Sequence, residues 1–240
     1  VFANRDYGQI GPDWEWIGHV FRVPENGADG YLRLGHWRAT GKLQFDAVRV
    51  TPTLPVHRTI GKLTLGEGES IRDGRYAFHG SFGHQGSNYH RVLKSATAGF
   101  NSYRWTFDNG SLVTYRFALP ECRFTSGEIS FNVNYHTRGA CAADASSDGV
   151  KWYPLTSHEG LGGAEAKLPA ELLPASQILF RLGPPSSGGS FQVDRITFQA
   201  DLDGTAPDAT GKTSFADVEQ ISRGLNIERM TLQDGPAAGE

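Results

Sequence analysis

The chain has 240 residues, with 23 Lys and Arg against 26 Asp and Glu for a formal net charge of −3. That balance excludes the basic field that nonspecific nucleic-acid binding needs, and no apolar run approaches the roughly 18–20 residues of a membrane-spanning helix. Thirty Gly, twelve Pro, 11% aromatic residues and one Met fit an all-β chain of short strands and tight turns better than a helical one.

The chain begins Val1-Phe2-Ala3-Asn4-Arg5-Asp6, which is mixed and polar and reads as the start of a processed or excised piece, not a leader. Within residues 1–55, three runs are expected to be strands: Trp14 to Pro24, Tyr31 to Trp37, and Leu43 to Val50. Pro24 to Gly30 and Ala39 to Lys42 separate them with turn chemistry.

Residues 56–203 read as one complete module. Strands are expected at 61–71, 76–82, 100–107, 112–117, 128–135, 177–182 and 190–198. Arg72-Asp73-Gly74-Arg75 is a turn, and Asp108-Asn109-Gly110-Ser111 is a hairpin signal joining the strands on either side of it. Ser147-Asp148-Gly149 predicts a second hairpin, with Trp152 entering the strand that follows. Pro169 to Pro174 allows no more than one helical turn.

Cys122 and Cys141 bracket an expected strand and its turn, a spacing at which a hairpin could close a disulfide; two buried free thiols are the alternative. Residues 204–240 read as a linker. Asp201, Asp203 and Asp208 resemble the start of a calcium loop, but Lys212 stands where the bidentate Glu is required. Phe215 to Val218 and Leu225 to Leu232 are expected to complete the sandwich left open by residues 1–55, and the tail from Gly235 to Glu240 is expected to be disordered.

Three features resemble the galactose-binding-like β-sandwich family, in its discoidin-like and carbohydrate-binding branch. They are Phe100-Asn101-Ser102-Tyr103-Arg104-Trp105, the Ser147-Asp148-Gly149-Val150-Lys151-Trp152 turn, and the closing strand at Val193-Asp194. Phe45-Asp46-Ala47-Val48-Arg49-Val50 repeats the pattern of that closing strand and resembles the end of a second such module. The resemblance implies an antiparallel jelly-roll β-sandwich: one complete module plus an incomplete flanking β module. It also implies loops at one end that grip sugars or acidic groups, and a structural Ca2+ for which Glu67, Asp73, Asp194 and Asp201 are the candidate ligands.

Sugars are bound in water by flat aromatic faces and by planar polar side chains that pair with hydroxyls. Two stretches are dense in both. The first supplies Tyr76, His84, Asn88, Tyr89 and Arg91, and the second Asn101, Tyr103 and Arg104. Trp105 and Trp152 are expected to be core residues first. The expected function is a non-catalytic carbohydrate-binding module that attaches a larger secreted or periplasmic protein to a polysaccharide or glycan. One alternative is a polysaccharide lyase or glycosidase domain using the His84, Tyr89, His90 and Arg91 loop; a protein-adhesion module is another. No carboxylate pair, phosphate loop or nucleophile elbow is legible.

Overall fold

The structure, a computed structural model, describes residues 3–23, 25, 27, 30–36, 38, 40–82, 88–185 and 188–217. Among these residues every strand pairing is antiparallel. Two sheets form a sandwich. The larger has nine strands. Its main path is β13 (Gly162–Lys167), β10 (Glu128–Arg138), β15 (Ser190–Asp203), β4 (Arg75–Ser81), β3 (Glu69–Arg72) and β16 (Ala209–Thr210). Strands β7 (Arg104–Phe107) and β9 (Arg123–Phe124) also pair with β15, and β6 (Gly99–Asn101) pairs with β7.

The smaller sheet runs β12 (Tyr153–Glu159), β11 (Ala140–Ser146), β14 (Gln177–Gly183), β8 (Val113–Ala118) and β5 (Leu93–Ala96). A third, three-stranded sheet sets β1 (Thr53–Ile60) between β17 (Thr213–Asp217) and β2 (Leu63–Leu65).

Side-chain alternation decides which faces meet. Ile129, Phe131 and Val133 of β10 point inward, as do Ile196, Phe198 and Ala200 of β15 and Val113, Tyr115 and Phe117 of β8. Phe117 stacks on Phe198 across the two sheets with centroids 4.3 Å apart, and Trp105 Nε1 donates to the Tyr115 hydroxyl at 2.9 Å. Each buried Val, Ile or Phe among them stabilises the fold by about 1.5–3 kcal/mol relative to its exposure. Trp105 is a core residue, as expected.

Several expectations need correction. No strand forms within the described residues of 3–52, so the runs at Trp14, Tyr31 and Leu43 do not build a half-sandwich. Ala47 explains the third of these: its φ of 51° breaks the extended run from Leu43 to Val50. Trp14 is 70% exposed and Trp16 89%, so their alternation marks no buried face. The segment instead straps across the module. Asn4 C=O accepts from Ser102 N–H, and Glu25 N–H donates to Ala96 C=O on the edge strand β5.

The expected strand 100–107 is a tight hairpin, because Ser102 at φ 56° reverses the chain between β6 and β7. The turn at Asp108 to Ser111 forms, but it carries the chain from the larger sheet to the smaller one and does not pair its flanking strands. The Ser147-Asp148-Gly149 turn does join a hairpin, β11 to β12. A single 3-10 turn spans Ala170–Leu172.

Phe215 pairs with Pro55, so β17 reaches back to the first part of the chain, onto the strand that opens the module. Cys122 and Cys141 are free and buried. The expected disulfide does not form, and the alternative of two buried free thiols holds. Trp37, His84, Val218, the expected strand at 225–232 and the tail lie outside the described residues.

Candidate functional site

The expected ligand residues do not form one exposed cluster. Tyr76 is wholly buried and donates its hydroxyl to Glu69 Oε1 at 2.8 Å; burial, then the Glu69 carboxylate, hold that hydroxyl well above its usual titration range. It cannot touch a ligand. Asn88 is buried beneath the N-terminal strap, accepting from Arg22 N–H at 2.7 Å and donating to Arg22 C=O at 2.6 Å. Asn101 accepts from Asn4 Nδ2 at 3.1 Å. The Tyr89 ring meets Phe215 edge-on at 4.7 Å, and the Arg104 guanidinium lies 4.6 Å over the Tyr103 ring. Asn88, Asn101 and Tyr89 thus hold the module's own segments together, while Arg104 covers its neighbour Tyr103. His84 lies outside the described residues.

His90, central to the lyase alternative, meets the Phe78 ring edge-on at 5.3 Å, and its Nδ1 is buried without a hydrogen-bond partner. Burial lowers its pKa to about 4, so it is neutral near pH 7. Its ring packs against the Phe78 and Phe82 rings.

Arg91 is different. Its Nε donates to Glu69 Oε2 at 2.6 Å and a terminal nitrogen donates to Oε1 at 2.5 Å. Glu69, 1% exposed, also accepts from Gly66 N–H at 2.7 Å. Burial pulls the Arg91 pKa down, but the bonds to Glu69 outweigh it and leave it above its ordinary value. Arg91 borders a cleft of about 360 Å³. Lys62, Thr64, Arg116, Leu119, Ser176 and Gln177 are among the other residues of its wall. That volume falls near the small end of ligand-binding clefts.

The cleft opens onto the outer face of the five-stranded sheet, and β14 joins the two. Gln177, Leu179 and Arg181 alternate outward along it, over roughly 13 Å. Arg116 Nε donates to Gln177 Oε1 at 2.8 Å, and Gln177 Nε2 donates to Ser147 C=O at 2.9 Å. Arg181 Nε donates to Asp144 Oδ2 at 2.7 Å, while its guanidinium lies 4.3 Å over the Trp152 ring.

The turn from Ser147 to Trp152 therefore folds back over its own sheet. Leu179, pointing outward, is only 2% exposed, and a Cβ on Gly149 would stand 3.2 Å from its Cδ1. The turn is rigid: Asp148 Oδ1 accepts from Val150 N–H at 2.7 Å, Lys151 N–H at 2.9 Å and Ser146 Oγ at 2.9 Å. Those backbone bonds hold the Asp148 carboxyl below its usual titration range. Trp152 is half-buried and ends up on the sheet's outer face. The sequence marked Trp152 and Arg91, but nothing in the spacing marked Arg116, Gln177 or Arg181; they are outward positions on strands whose pairing is long-range.

Of the expected Ca2+ ligands, Asp73 lies in the turn beside Asp201, because Asp201 pairs with Arg75, while Asp194 stands farther along the same strand as Asp201. Asp194 accepts from Asn132 Nδ2 at 2.8 Å, and Asp201, seven residues along the same strand, accepts from Ser126 Oγ at 2.7 Å. Asp73 N–H donates to Asp208 Oδ1, and Glu67 N–H donates to Thr213 Oγ1. Among the described residues no three His, Cys, Asp or Glu side chains come together as a metal site.

No family model and no curated protein matches this chain. Among solved structures it is similar to a family 29 carbohydrate-binding module from Piromyces equi, at 11% identity over 60% of this chain and 90% of that one, with a TM-score of 0.33. It is similar to an exo-β-1,3-galactanase from Phanerochaete chrysosporium at 14% identity over 44% of this chain, spanning 26% of the galactanase, with a TM-score of 0.31. An acetyl xylan esterase from the rumen bacterium Butyrivibrio proteoclasticus matches at 10% identity over 55% of this chain and 34% of its own, with a TM-score of 0.33. At such identity and overlap, the ligand of this chain is a matter for its own residues.

Proposed function

We propose that this chain is a carbohydrate-binding β-sandwich that acts by binding, without catalysis. One observation carries the proposal: Arg116, Gln177, Arg181 and Trp152 stand along one outer sheet face, each fixed by a contact of its own, and lead into an open cleft. Planar amide and guanidinium groups pair with adjacent hydroxyls, and an indole edge or face covers sugar C–H surface. Because the side chains are already ordered, a ligand need not order them on binding.

Binding fits this face better than hydrolysis or elimination. Among the described residues of the cleft wall there is no carboxylic acid and no histidine, and the carboxylates beside it, Glu121 and Glu69, are held by Lys62 and Arg91. The proposed setting is a longer secreted or periplasmic protein, with Trp16 and Tyr31, each 89% exposed, available to a neighbouring domain.

The test is retention of the purified chain on soluble and insoluble polysaccharides, with reducing-end and unsaturated-product assays on the same samples. Retention without product, lost in Trp152→Ala and in Gln177→Ala, supports the proposal. Product release, or retention indifferent to both substitutions, overturns it.

A further inference from the structure

We infer that the cleft beside Arg116 takes an anionic group, a carboxylate or a sulfate ester, so that the ligand of this face is an acidic glycan; this rests on the glycan-binding proposal above. Three cations border the cleft, Lys62, Arg91 and Arg116. Two of them have their own counter-charges. Lys62 pairs with Glu121, and Arg91 is clamped by the buried carboxylate of Glu69.

Arg116 is exposed and holds its guanidinium in a different way. Its Nε donates to the neutral amide oxygen of Gln177, which is itself tethered to Ser147 C=O. Among the described residues no carboxylate lies within ion-pairing distance of it. The guanidinium is therefore aimed by its Nε while its charge stays uncompensated. An oxyanion is the acceptor that suits it, because it takes the charge and two parallel N–H donors at once. A sugar hydroxyl accepts a single bond from it and leaves the charge to water.

Ser176 and Thr64, both on the cleft wall, add hydroxyls for the rest of a sugar ring. The field of the whole chain does not account for such a preference, because its net charge of −3 repels polyanions. Retention of an acidic polymer therefore reports a local site.

The experiment compares two matched polymer pairs by affinity electrophoresis at about 0.15 M salt, where surface attraction is screened within about 8 Å. Polygalacturonate is set against its highly methyl-esterified form, which keeps the sugars and removes the charge; dextran sulfate is set against dextran. We expect at least about tenfold tighter binding to one acidic member than to its neutral partner. Arg116→Gln reduces that binding to the neutral level, and Arg116→Lys keeps part of it. Preference within the first pair assigns a carboxylate, and within the second a sulfate.

Equal binding of acidic and neutral members, or acidic binding untouched by Arg116→Gln, overturns the anionic site while leaving glycan binding standing. If neither pair nor any polysaccharide of the wider panel is retained, the glycan-binding proposal fails and this inference fails with it.

Discussion

The guanidinium of Arg181 lies 4.3 Å over the indole of Trp152 while its Nε donates to Asp144, so one side chain ties the β11–β12 turn to the outer face of β14. Trp152 is held in place by that contact and by its Nε1 donating to Gly149 C=O at 3.2 Å. Trp152→Ala is expected to cost about 1–2 kcal/mol of stability, from the lost cation–π contact and half-buried area. Polysaccharide retention should fall at least about tenfold while the far-UV circular dichroism is unchanged. Denaturant titration and affinity electrophoresis of the same sample check the two effects.

Arg91→Ala is expected to act on the fold before it acts on any ligand. Removing the cation leaves the Glu69 carboxylate buried with, among the described residues, Tyr76 and Gly66 as its remaining donors. Breaking a buried pair in this way costs about 3–5 kcal/mol. The double variant Arg91→Ala with Glu69→Gln should recover part of that loss, because the uncompensated charge is gone. Urea unfolding of the two single variants and the double variant measures the coupling.

Acid should destabilise the module through His90. Its pKa is lowered by burial from 6.5 to about 4, so the unfolded chain binds a proton in this interval and the folded chain does not. The stability that a neutral His90 contributes is complete above pH 6.5 and is lost as the pH falls toward 4, amounting to about 3 kcal/mol. His19, lowered to about 4 by burial and then by Arg5, adds a change of the same sign. Thermal melts between these limits should show the midpoint falling with pH, and His90→Leu should flatten the slope.

Asn88→Ala should release the N-terminal strap. The Asn88 side chain makes two bonds to the Arg22 backbone, as a neighbouring strand would, and Arg22 in turn donates from its terminal nitrogens to Leu93 C=O at 2.9 Å and Lys94 C=O at 3.0 Å. Losing the amide should cost about 1–3 kcal/mol and expose the edge of β5. Limited proteolysis is then expected to cut within residues 4–22 sooner than in the parent chain, with the core from Thr53 to Asp217 still resistant.

The sequence made the fold legible where local chemistry and burial agreed. Glu128 to Asn134 alternates because Ile129, Phe131 and Val133 of β10 face the core, and Asp148-Gly149 forms its turn because Asp148 satisfies the turn's own N–H groups. The small-residue strand β11, Ala140 to Ser146, carried too little apolar bulk to be noticed, although Cys141, Ala143 and Ala145 face the core. Trp14 and Trp16 misled for the opposite reason: alternation predicts a strand only where another strand supplies the ladder.

The candidate face was less legible still. Polar loops at 76–91 and 101–104 looked like ligand donors, but a loop Asn has the same composition signature whether it awaits a sugar or holds a strap. Asn88 and Asn101 hold the strap. Arg116 and Gln177 lie 61 residues apart and meet through the pairing of β8 with β14, a register set by core packing and invisible in either stretch alone.

Strand β15 also governs the order in which the molecule can form. It supplies the ladder for β4, β7, β9 and β10, yet it occupies residues 190–203. During synthesis those four strands emerge without their common neighbour, and their backbone edges stay open until it arrives. The larger sheet therefore closes late, through contacts that span more than a hundred residues between β4 and β15, which slows folding. A chain cut anywhere before residue 203 loses part or all of that keystone, and the open edges it leaves are sites for self-association.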